Sequence, residues 1–467
     1  MNLVEATLTK DTKTANGMAT NSTSLNKCLD LFFIAGASRR MSKESIESMF
    51  LGALGENPDM ALKILFWARD IRGGAGERRF FRICMYCLSE NFPQISEKVT
   101  PHIPEYGRWD DIFWGDTDTA IQEILWGLGE ANGLCAKWMP RKGPVANQIR
   151  KAMGMTPKEY RKTLVALTNV IETRMCNKEW NQIGYKTVPS KAFAKYRKAF
   201  YRNDPTRFEE FLSDVKQGKT SINAGAIFPN DIIKPYLNRW SSNDDAINEQ
   251  WNALPNYMEG SKERIIPVCD VSGSMSGLPM EVSISLGLYI SERNEGVFKD
   301  AFMTFSAQPK MEYLKGGIWE RTRQLSMADW GMNTNLEATF GLILRKAIDN
   351  NIPQSEMPTK ILIISDMEFD QATSNNWNDH VPAYNQSAIE MIREKYETSG
   401  YKMPGIVFWN VNGRQGNVPV GAKDENTALV SGFSPSILKS ILSGEIESPT
   451  QIMLKTINTE RYKVIHT

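Results

Sequence analysis

The chain has 467 residues, of which 41% are hydrophobic and 23% are charged, and its formal net charge is +1. This length exceeds what one hydrophobic core ordinarily supports, so we expect at least two globular domains in a soluble protein. The near-neutral charge excludes a general attraction to nucleic acids or membranes. No apolar run approaches the ~20 residues of a membrane span, so no membrane partner is expected.

Cysteine and histidine usage points to a reducing compartment and away from zinc. The six cysteines lack the spacing of a secreted disulfide framework, which favours a cytoplasmic location. Cys84 and Cys87 form one C-x-x-C, but they lie in an apolar helical stretch and are interpreted as core residues. The three histidines have no partner at metal-ligand spacing. Zinc binding and histidine-base catalysis are therefore not expected.

The amino-terminal half is predicted to be a flexible tail over residues 1–24 and a helical domain over residues 25–260. The tail is rich in Thr, Ser and Asn. Beyond it, apolar residues recur at three- and four-residue spacing between short turns, which predicts antiparallel helices stacked as in repeat proteins. No strict sequence repeat is present. The clearest predicted helices are residues 43–54, 58–71, 78–91 and 119–128.

A glycine-rich segment interrupts these helices at Arg72-Gly73-Gly74-Ala75-Gly76-Glu77-Arg78. Its glycines and arginines could cradle a phosphate at the start of the next helix. The other interpretation is a tight turn between helices, joined by ion pairs. The segment lacks the Lys-Ser/Thr of a P-loop and the preceding strand of a dinucleotide fold, which favours the structural interpretation.

Positive charge is concentrated in residues 141–239, which contain 20 Lys and Arg but only 8 Asp and Glu. Cations and aromatic residues interleave most densely between residues 186 and 207. Cations can bind phosphates and aromatic rings can stack on bases, so this segment is a candidate RNA surface. A helix with an aromatic core face and a solvated basic face explains the pattern equally well. The candidate RNA-binding residues are Arg72, Arg78, Arg141, Lys142, Lys191, Lys195, Arg197, Lys198 and Arg202.

The pattern changes in the carboxyl-terminal half. Residues 241–260 are polar and are interpreted as a linker or a domain seam. Residues 261–467 alternate apolar runs with amphipathic segments, which predicts a doubly wound, mostly parallel α/β sheet. The predicted strands are 265–269, 301–305, 360–365, 405–411 and 427–431, and the predicted helices are 281–292, 336–348, 387–395 and 435–442.

Oxygen-bearing side chains follow the first and third predicted strands and also occupy the loop before the second helix. Because the carboxyl ends of parallel strands lie on one side of a sheet, we expect these groups to meet around one cation. Carboxylates and hydroxyls suit Mg²⁺ or Mn²⁺ rather than zinc. Glu368 and Asp370, just beyond, are either supporting acceptors or simple loop acids. The predicted ligands are Asp270, Ser272, Ser274, Thr334 and Asp366.

This arrangement resembles the von Willebrand factor type A domain with its metal-ion-dependent adhesion site. There, an Asp-x-Ser-x-Ser motif is followed by a Thr and then an Asp, and all three parts occur here in that order. The resemblance implies a Rossmann-like fold and a bound Mg²⁺, Mn²⁺ or Ca²⁺. It also implies that the ion can accept an acidic group from a partner protein.

Longer motifs are similar to an uncharacterised family of cytosolic and viral proteins, which joins a helical region to a type A domain and is named only as a domain of unknown function. The similarity covers roughly residues 25–445. The motifs are Val268-Cys269-Asp270-Val271-Ser272-Gly273-Ser274-Met275, Trp330-Gly331-Met332-Asn333-Thr334-Asn335, Ser365-Asp366-Met367-Glu368-Phe369-Asp370, Arg72-Gly73-Gly74, Lys137-Trp138-Met139-Pro140-Arg141-Lys142 and Val188-Pro189-Ser190-Lys191.

The same architecture is similar to the Ro autoantigen (TROVE) proteins. Those proteins bind small noncoding RNAs and the ends of misfolded RNAs on a helical ring closed by the type A domain. The helical region here does not align with them residue by residue, so RNA binding is implied by architecture and not by a shared motif.

Three functions follow from these observations. The first is a Ro-like protein that holds structured RNA on a basic helical scaffold. The second is an adaptor whose bound metal captures an acidic residue of a partner protein. The third is a metal-dependent hydrolase, which is disfavoured because the site has too few carboxylates for two metals and no evident His or Lys base. We therefore expect a binding protein and not an enzyme.

Overall fold

The computed structural model describes residues 10–305, 308–328, 335–369, 388–414, 416–442 and 444–467. A short hairpin of strands β1 (Thr12–Lys13) and β2 (Ala19–Thr20) precedes the helices. The helices of the first region are Lys27–Ala35, Lys43–Glu56, Pro58–Arg69, Arg78–Asn91, Pro93–Val99, Ile103–Tyr106, Thr117–Gly129, Gly133–Trp138, Pro144–Ala152, Pro157–Leu167, Ile171–Cys176, Ser190–Asn203, Pro205–Lys216, Pro229–Ile233 and Asp245–Asn252. The prediction of a helical first region is confirmed.

Capping residues explain where these helices begin and end. Asn57 ends one helix with an extended backbone, and its side chain then accepts a hydrogen bond from the amide of Met60 in the next helix. Pro58 occupies the first turn, where its missing N–H costs nothing. Cys84 and Cys87 are buried in helix Arg78–Asn91, which confirms their assignment to the core.

The second region is built on a six-stranded sheet. Its strands are β3 (Ile265–Cys269), β4 (Ala301–Thr304), β5 (Met311–Tyr313), β6 (Lys360–Ser365), β7 (Gly405–Asn410) and β8 (Thr427–Ser431), in the order β5-β4-β3-β6-β7-β8. All neighbours are parallel except β4 and β5. The accompanying helices are Leu278–Arg293, Ile318–Ser326, Leu336–Asp349, Ala388–Thr398, Leu438–Ile441 and Pro449–Ile457.

This order is that of a doubly wound sheet in which the strand order reverses between the parallel neighbours β3 and β6. Every residue of β3, β4, β6, β7 and β8 is buried, as expected when both faces of a parallel sheet are covered. The predicted strands correspond closely to these five. The antiparallel edge strand β5 was not predicted, because its three residues are half-buried or exposed and give no clear periodicity.

One continuous hydrophobic core joins the helical region to the sheet. Helix Lys27–Ala35 packs on β8, where the Ser431 hydroxyl donates to the carbonyl of Phe32 at 2.8 Å. Residues 241–260 are not an unstructured linker. They include helix Asp245–Asn252, and Trp251 is buried there with its indole N–H donating to Glu292 at 2.8 Å.

The prediction of a flexible tail is also wrong for residues 10–24. The β1–β2 hairpin docks on the loop after β6, where the side-chain amide of Asn16 donates to the backbone carbonyl of Glu368 at 2.8 Å. Asn21 then forms an antiparallel bridge with Val418. The Thr-, Ser- and Asn-rich composition suggested disorder, but these side chains satisfy hydrogen bonds to a distant part of the chain.

Gly36 lies where the helical region packs closely against the sheet region. A Cβ at this position would lie 2.6 Å from the Cα of Gly432. We expect Gly36→Ala to lower the free energy of unfolding by about 1–3 kcal/mol through overpacking. Gly55→Ala is the matched control, because Gly55 lies within helix Lys43–Glu56 and nothing is within 4 Å of its Cβ position. That control should be neutral or stabilising by up to about 1 kcal/mol. Urea unfolding measures both, and equal effects would contradict the close packing.

Candidate functional site

The strand order brings Asp270 and Asp366 together. Each is the first residue after a strand, Asp270 after β3 and Asp366 after β6, and these two strands are parallel neighbours. The amide of Asp270 donates to the carbonyl of Ile364 at 3.0 Å, which continues the ladder up to the site. Both carboxylates therefore lie at the carboxyl ends of the strands, at the point where the strand order reverses and where ligands bind in open α/β sheets.

The Asp270 carboxylate is buried and held by two hydrogen bonds. One oxygen accepts from the Ser272 amide at 2.8 Å and the other from the Ser365 hydroxyl at 2.7 Å. Burial nevertheless raises the pKa of Asp270 to about 6. The loss of hydration therefore destabilises the charged carboxylate more than these two hydrogen bonds stabilise it. A nearby cation would lower the pKa of Asp270 again.

Asp366 carries a buried carboxylate oxygen, Oδ2, that lacks a hydrogen bond within the described part of the chain. The Arg414 guanidinium lies 3.8 Å from this atom, close enough for an ion pair but not for a hydrogen bond. Burial raises the pKa of Asp366, although the Ser274 hydroxyl and Arg414 act in the opposite direction. A buried carboxylate oxygen left in this state is costly unless a positive charge completes it.

Two serines complete the described part of the site. The Ser272 and Ser274 hydroxyl oxygens are 3.1 Å apart on its solvent side. Thr334 lies outside the described residues, as does Asp370. In the described part of the chain, no cluster of three or more His, Cys, Asp or Glu side chains suits a metal, so a cation here would depend on hydroxyl as well as carboxylate oxygens. This donor set fits a hard divalent ion.

Two neighbours of the site, Ser365 and Arg414, were not predicted as part of it. Ser365 orients Asp270, and Arg414 pairs with both Asp366 and Glu368. Glu368 also accepts from the Ala15 amide at 2.5 Å, so it anchors the amino-terminal hairpin. Ser365 could have been inferred from its position beside Asp366. Arg414 could not, because nothing in the sequence around it indicates contact with a residue 48 positions earlier.

Four predicted RNA-binding residues form a stripe on helix Ser190–Asn203. Lys191, Lys195, Lys198 and Arg202 follow one another at four-, three- and four-residue spacing, so they share one face over about 16 Å. All four are exposed. Lys191 pairs with Asp231, whereas the other three form no ion pair with any described residue. We call these four residues the basic stripe.

The opposite face of this helix is core. Phe193 and Phe200 are fully buried in a small separate hydrophobic cluster, so these two rings cannot stack on bases. Tyr196 and Tyr201 are half-buried against the same cluster. Arg197 was predicted to contact RNA, but it points inward and pairs with Asp244 at 2.9 Å. The basic face and the aromatic face alternate with helical period, which a linear count of charges does not separate.

The glycine-rich segment is a structural turn and not a phosphate cradle. The amides of residues 74–77 donate to backbone carbonyls of residues 67–70, which leaves none of these four for an anion. A Cβ on Gly74 would lie 1.9 Å from the carbonyl oxygen of Trp67. The buried Glu77 carboxylate accepts from the Arg79 amide and so caps the next helix. The N-terminus that could bind a phosphate is therefore already satisfied by a protein carboxylate.

The remaining predicted RNA contacts divide between structural and exposed residues. Arg72 donates to the carbonyl of Glu105 at 2.9 Å, and Arg78 pairs with Asp110 at 2.6 Å. Arg141 donates to three carbonyls at the end of helix Gly133–Trp138. Lys142 is exposed next to it. Lys142 is the member of this group with no hydrogen bond or ion pair to a described residue.

The fold and site define a protein in which a helical region with a basic surface is joined to a doubly wound α/β domain carrying paired carboxylates. Residues 14–96 and 119–262 match a domain of unknown function (DUF2828), and residues 264–464 match a second one (DUF7788). Uncharacterized protein L728 of Acanthamoeba polyphaga mimivirus is 29% identical over 507 residues, covering 95% of this chain and 86% of that protein. An uncharacterised family with a viral member therefore fits the chain. The described residues contain no helix of the length and apolarity that crossing a membrane requires.

Proposed function

We propose that this protein is a non-enzymatic, Ro-like binding protein that holds structured or noncoding RNA on its basic helical surface. The basic stripe carries this proposal. Five of the 20 cations in residues 141–239 are buried or half-buried, and the others are exposed. This surface concentrates positive charge that the near-neutral chain as a whole lacks. Such a surface attracts the phosphate backbone of RNA and releases its counterions on binding.

We further propose that the α/β domain is of the von Willebrand type A class and binds Mg²⁺, or Mn²⁺ or Ca²⁺ in its place. Asp270, Ser272, Ser274, Thr334 and Asp366 would hold the ion. The buried Oδ2 atom of Asp366, which has no hydrogen-bond partner among the described residues, supports this assignment. A bound divalent ion supplies a positive charge that can accept one further oxygen ligand from outside the chain. Ser365 orients the Asp270 carboxylate, and the half-buried Ser272 and exposed Ser274 lie on the solvent side of the site.

That solvent side favours a second candidate function. An acidic residue of a partner protein could complete the ion's ligands, which would make the protein an adaptor. In that case the cations of the helical region are only a solvated surface. The adaptor function predicts a protein partner that the wild-type chain retains and Asp270→Ala loses, with no dependence on the basic stripe.

Replacing the four residues of the basic stripe by Gln tests the RNA proposal. Binding of a labelled structured RNA to the full chain is followed by fluorescence anisotropy between about 50 and 200 mM salt. We expect wild-type affinity to fall by about 20- to 150-fold over this range if three or four phosphates are contacted. The variant should bind at least about tenfold more weakly. Its salt slope should flatten by roughly 0.7–0.9 for each phosphate that the variant no longer neutralises.

The control variant carries Gln at four exposed lysines outside the basic region, namely Lys98, Lys299, Lys346 and Lys463. It removes the same net charge, so a general electrostatic effect would weaken both variants equally. Absence of RNA binding by the wild-type chain at the lower salt concentration would refute the proposed function.

A further inference from the structure

We propose that a nucleobase of a single-stranded RNA segment stacks on Trp240, in a cleft at the end of the basic stripe. The proposal rests on the proposed RNA-binding function and specifies where an unpaired base of the RNA binds. The cleft has a volume of about 680 Å³ and lies between helix Ser190–Asn203 and residues 234–247. The residues that matter for the argument are Arg197, Lys198, Lys234, Tyr236, Trp240 and Asp244.

Trp240 is exposed in a way that folding does not favour. Its side chain is 88% exposed, more than any other large hydrophobic residue in the described part of the chain. An indole side chain normally buries a large area on folding. A tryptophan that stays almost fully exposed is available to stack on a ligand. The Arg239 guanidinium lies 5.9 Å from the ring centroid, which places a cation beside the stacking surface.

The turn that carries Trp240 is fixed on both sides. The Trp240 amide donates to the side chain of Asn238 at 3.0 Å. The Arg323 side chain donates to the carbonyl of Arg239 at 3.4 Å, and the Trp319 indole N–H donates to the Ser241 hydroxyl at 3.3 Å. Both donors come from helix Ile318–Ser326 of the α/β domain. The ring therefore projects from an anchored turn, and little order has to be gained on binding.

The floor of the cleft is also held in place. Arg197 pairs with Asp244 at 2.9 Å and donates to the carbonyl of Ala194 at 2.7 Å. The Tyr236 hydroxyl donates to the Asp244 carbonyl and accepts from the Asp244 amide, both at 2.9 Å. Arg197 is thus a positioning residue for the cleft and not a phosphate ligand.

The charges around the ring favour a nucleic acid over an apolar protein segment. Lys198 lines the cleft, belongs to the basic stripe and forms no ion pair with any described residue. Lys234 lies on the opposite wall, where it is 62% exposed and paired with Glu281. An exposed aromatic ring with cations in the same cleft matches a base and its flanking phosphates, which bind other single-stranded sites through stacking and charge. Because every base has a π-face, this contact selects for unpaired RNA and not for one sequence.

The test compares the full chain carrying Trp240→Leu, Trp240→Tyr or Trp126→Ala with the wild type. Trp126 is 64% exposed and lies on a different helix, Thr117–Gly129, so it controls for loss of a surface indole. Anisotropy measures binding to a labelled uridine-rich single strand, to the same sugar-phosphate strand without bases, and to a perfectly paired RNA duplex. Melting temperatures establish that each variant is folded, which we expect because Trp240 is exposed.

We expect Trp240→Leu to weaken binding of the single strand by about 5- to 100-fold. Trp240→Tyr and Trp126→Ala should stay near the wild-type affinity. Binding of the base-free strand and of the duplex should not change in any variant. Equal binding of the single strand by wild type and Trp240→Leu would overturn the inference and leave the proposed function standing. If the wild type binds none of the three nucleic acids, the proposed function itself fails.

Discussion

Asp366→Asn is expected to weaken binding of Mg²⁺ or Mn²⁺ by at least about 100-fold. The change removes one of the two carboxylate charges of the candidate site and replaces a carboxylate whose buried Oδ2 atom has no hydrogen-bond partner among the described residues. Residues that only orient metal ligands already contribute 10- to 100-fold to affinity, so a directly binding carboxylate should contribute no less. Isothermal titration calorimetry of the full chain with each ion measures the effect. A parallel thermal scan should show the wild type stabilised by the ion and the variant not.

Loss of binding through unfolding is not expected in this variant. Burial raises the pKa of Asp366, so its charged form is unfavourable when no cation is bound. A neutral amide should therefore leave the metal-free protein as stable as the wild type or slightly more stable. Asp349→Asn is the control, because Asp349 is exposed at the end of helix Leu336–Asp349. If Asp366→Asn binds the ion as tightly as the wild type, the ion does not bind at Asp366.

Asp111→Asn is expected to lower the free energy of unfolding by about 3–5 kcal/mol. The Asp111 carboxylate is fully buried and accepts from Arg69 at 2.8 and 2.6 Å, from Arg78 at 3.2 Å and from Arg82 at 2.7 Å. Arg69 is itself 5% exposed. Removing the carboxylate leaves a buried guanidinium without its counter-ion, and breaking one partner of a buried pair costs about this much. Guanidinium chloride unfolding measures the loss.

The same carboxylate should make stability depend on pH in the acid range. Burial opposes ionisation of Asp111, but Arg69 and the hydrogen bonds around it hold its pKa below the ordinary value of 3.8. A carboxyl whose pKa is lowered by folding binds fewer protons in the folded state than in the unfolded state. Its stabilisation is therefore complete above pH 3.8 and is lost as the pH falls through the folded-state pKa. Asp111→Asn should remove this part of the acid sensitivity.

Asp110→Asn is the matched control for this network. The Asp110 side chain is 20% exposed and pairs with Arg78, Arg82 and Arg108 on the outer side. Because Asp111 remains and water reaches these groups, the loss should be only about 1–2 kcal/mol. A neutral result for Asp111→Asn would mean that the network is not structural. Arg78 would then return as a candidate ligand for RNA.

The α/β half shows how much of the fold and of the candidate site can be predicted from the residue pattern alone. Strands β3, β6 and β8 have the predicted bounds, because a buried parallel strand is a short apolar run between turn signals. That order of elements was enough to place Asp270 and Asp366 at neighbouring strand ends. The contact of Ser365 with Asp270 and the approach of Arg414 to Asp366 depend on the tertiary structure, since each involves residues far apart along the chain.

The helical half shows where pattern is insufficient. Arg197 and Lys198 are adjacent and chemically alike, yet one pairs with Asp244 in the floor of a cleft and the other faces solvent. Trp240 was not singled out, because a single tryptophan in a polar stretch gives no sign of whether it is buried or displayed. Arg72, Arg78 and Arg141 look like phosphate ligands in sequence but satisfy acids and carbonyls of the same chain.

The sequence by itself determined the two-part architecture, the strands and helices around the candidate cation site, and the region of excess positive charge. These depend on local periodicity, capping and composition, which act over a few residues. Tertiary structure alone decided which cations remain available to a ligand and that residues 10–24 dock beside the site. It also decided that residues 241–260 include a helix packed against the rest of the chain. Those outcomes depend on hydrogen bonds and burial between distant segments, which the order of residues does not record.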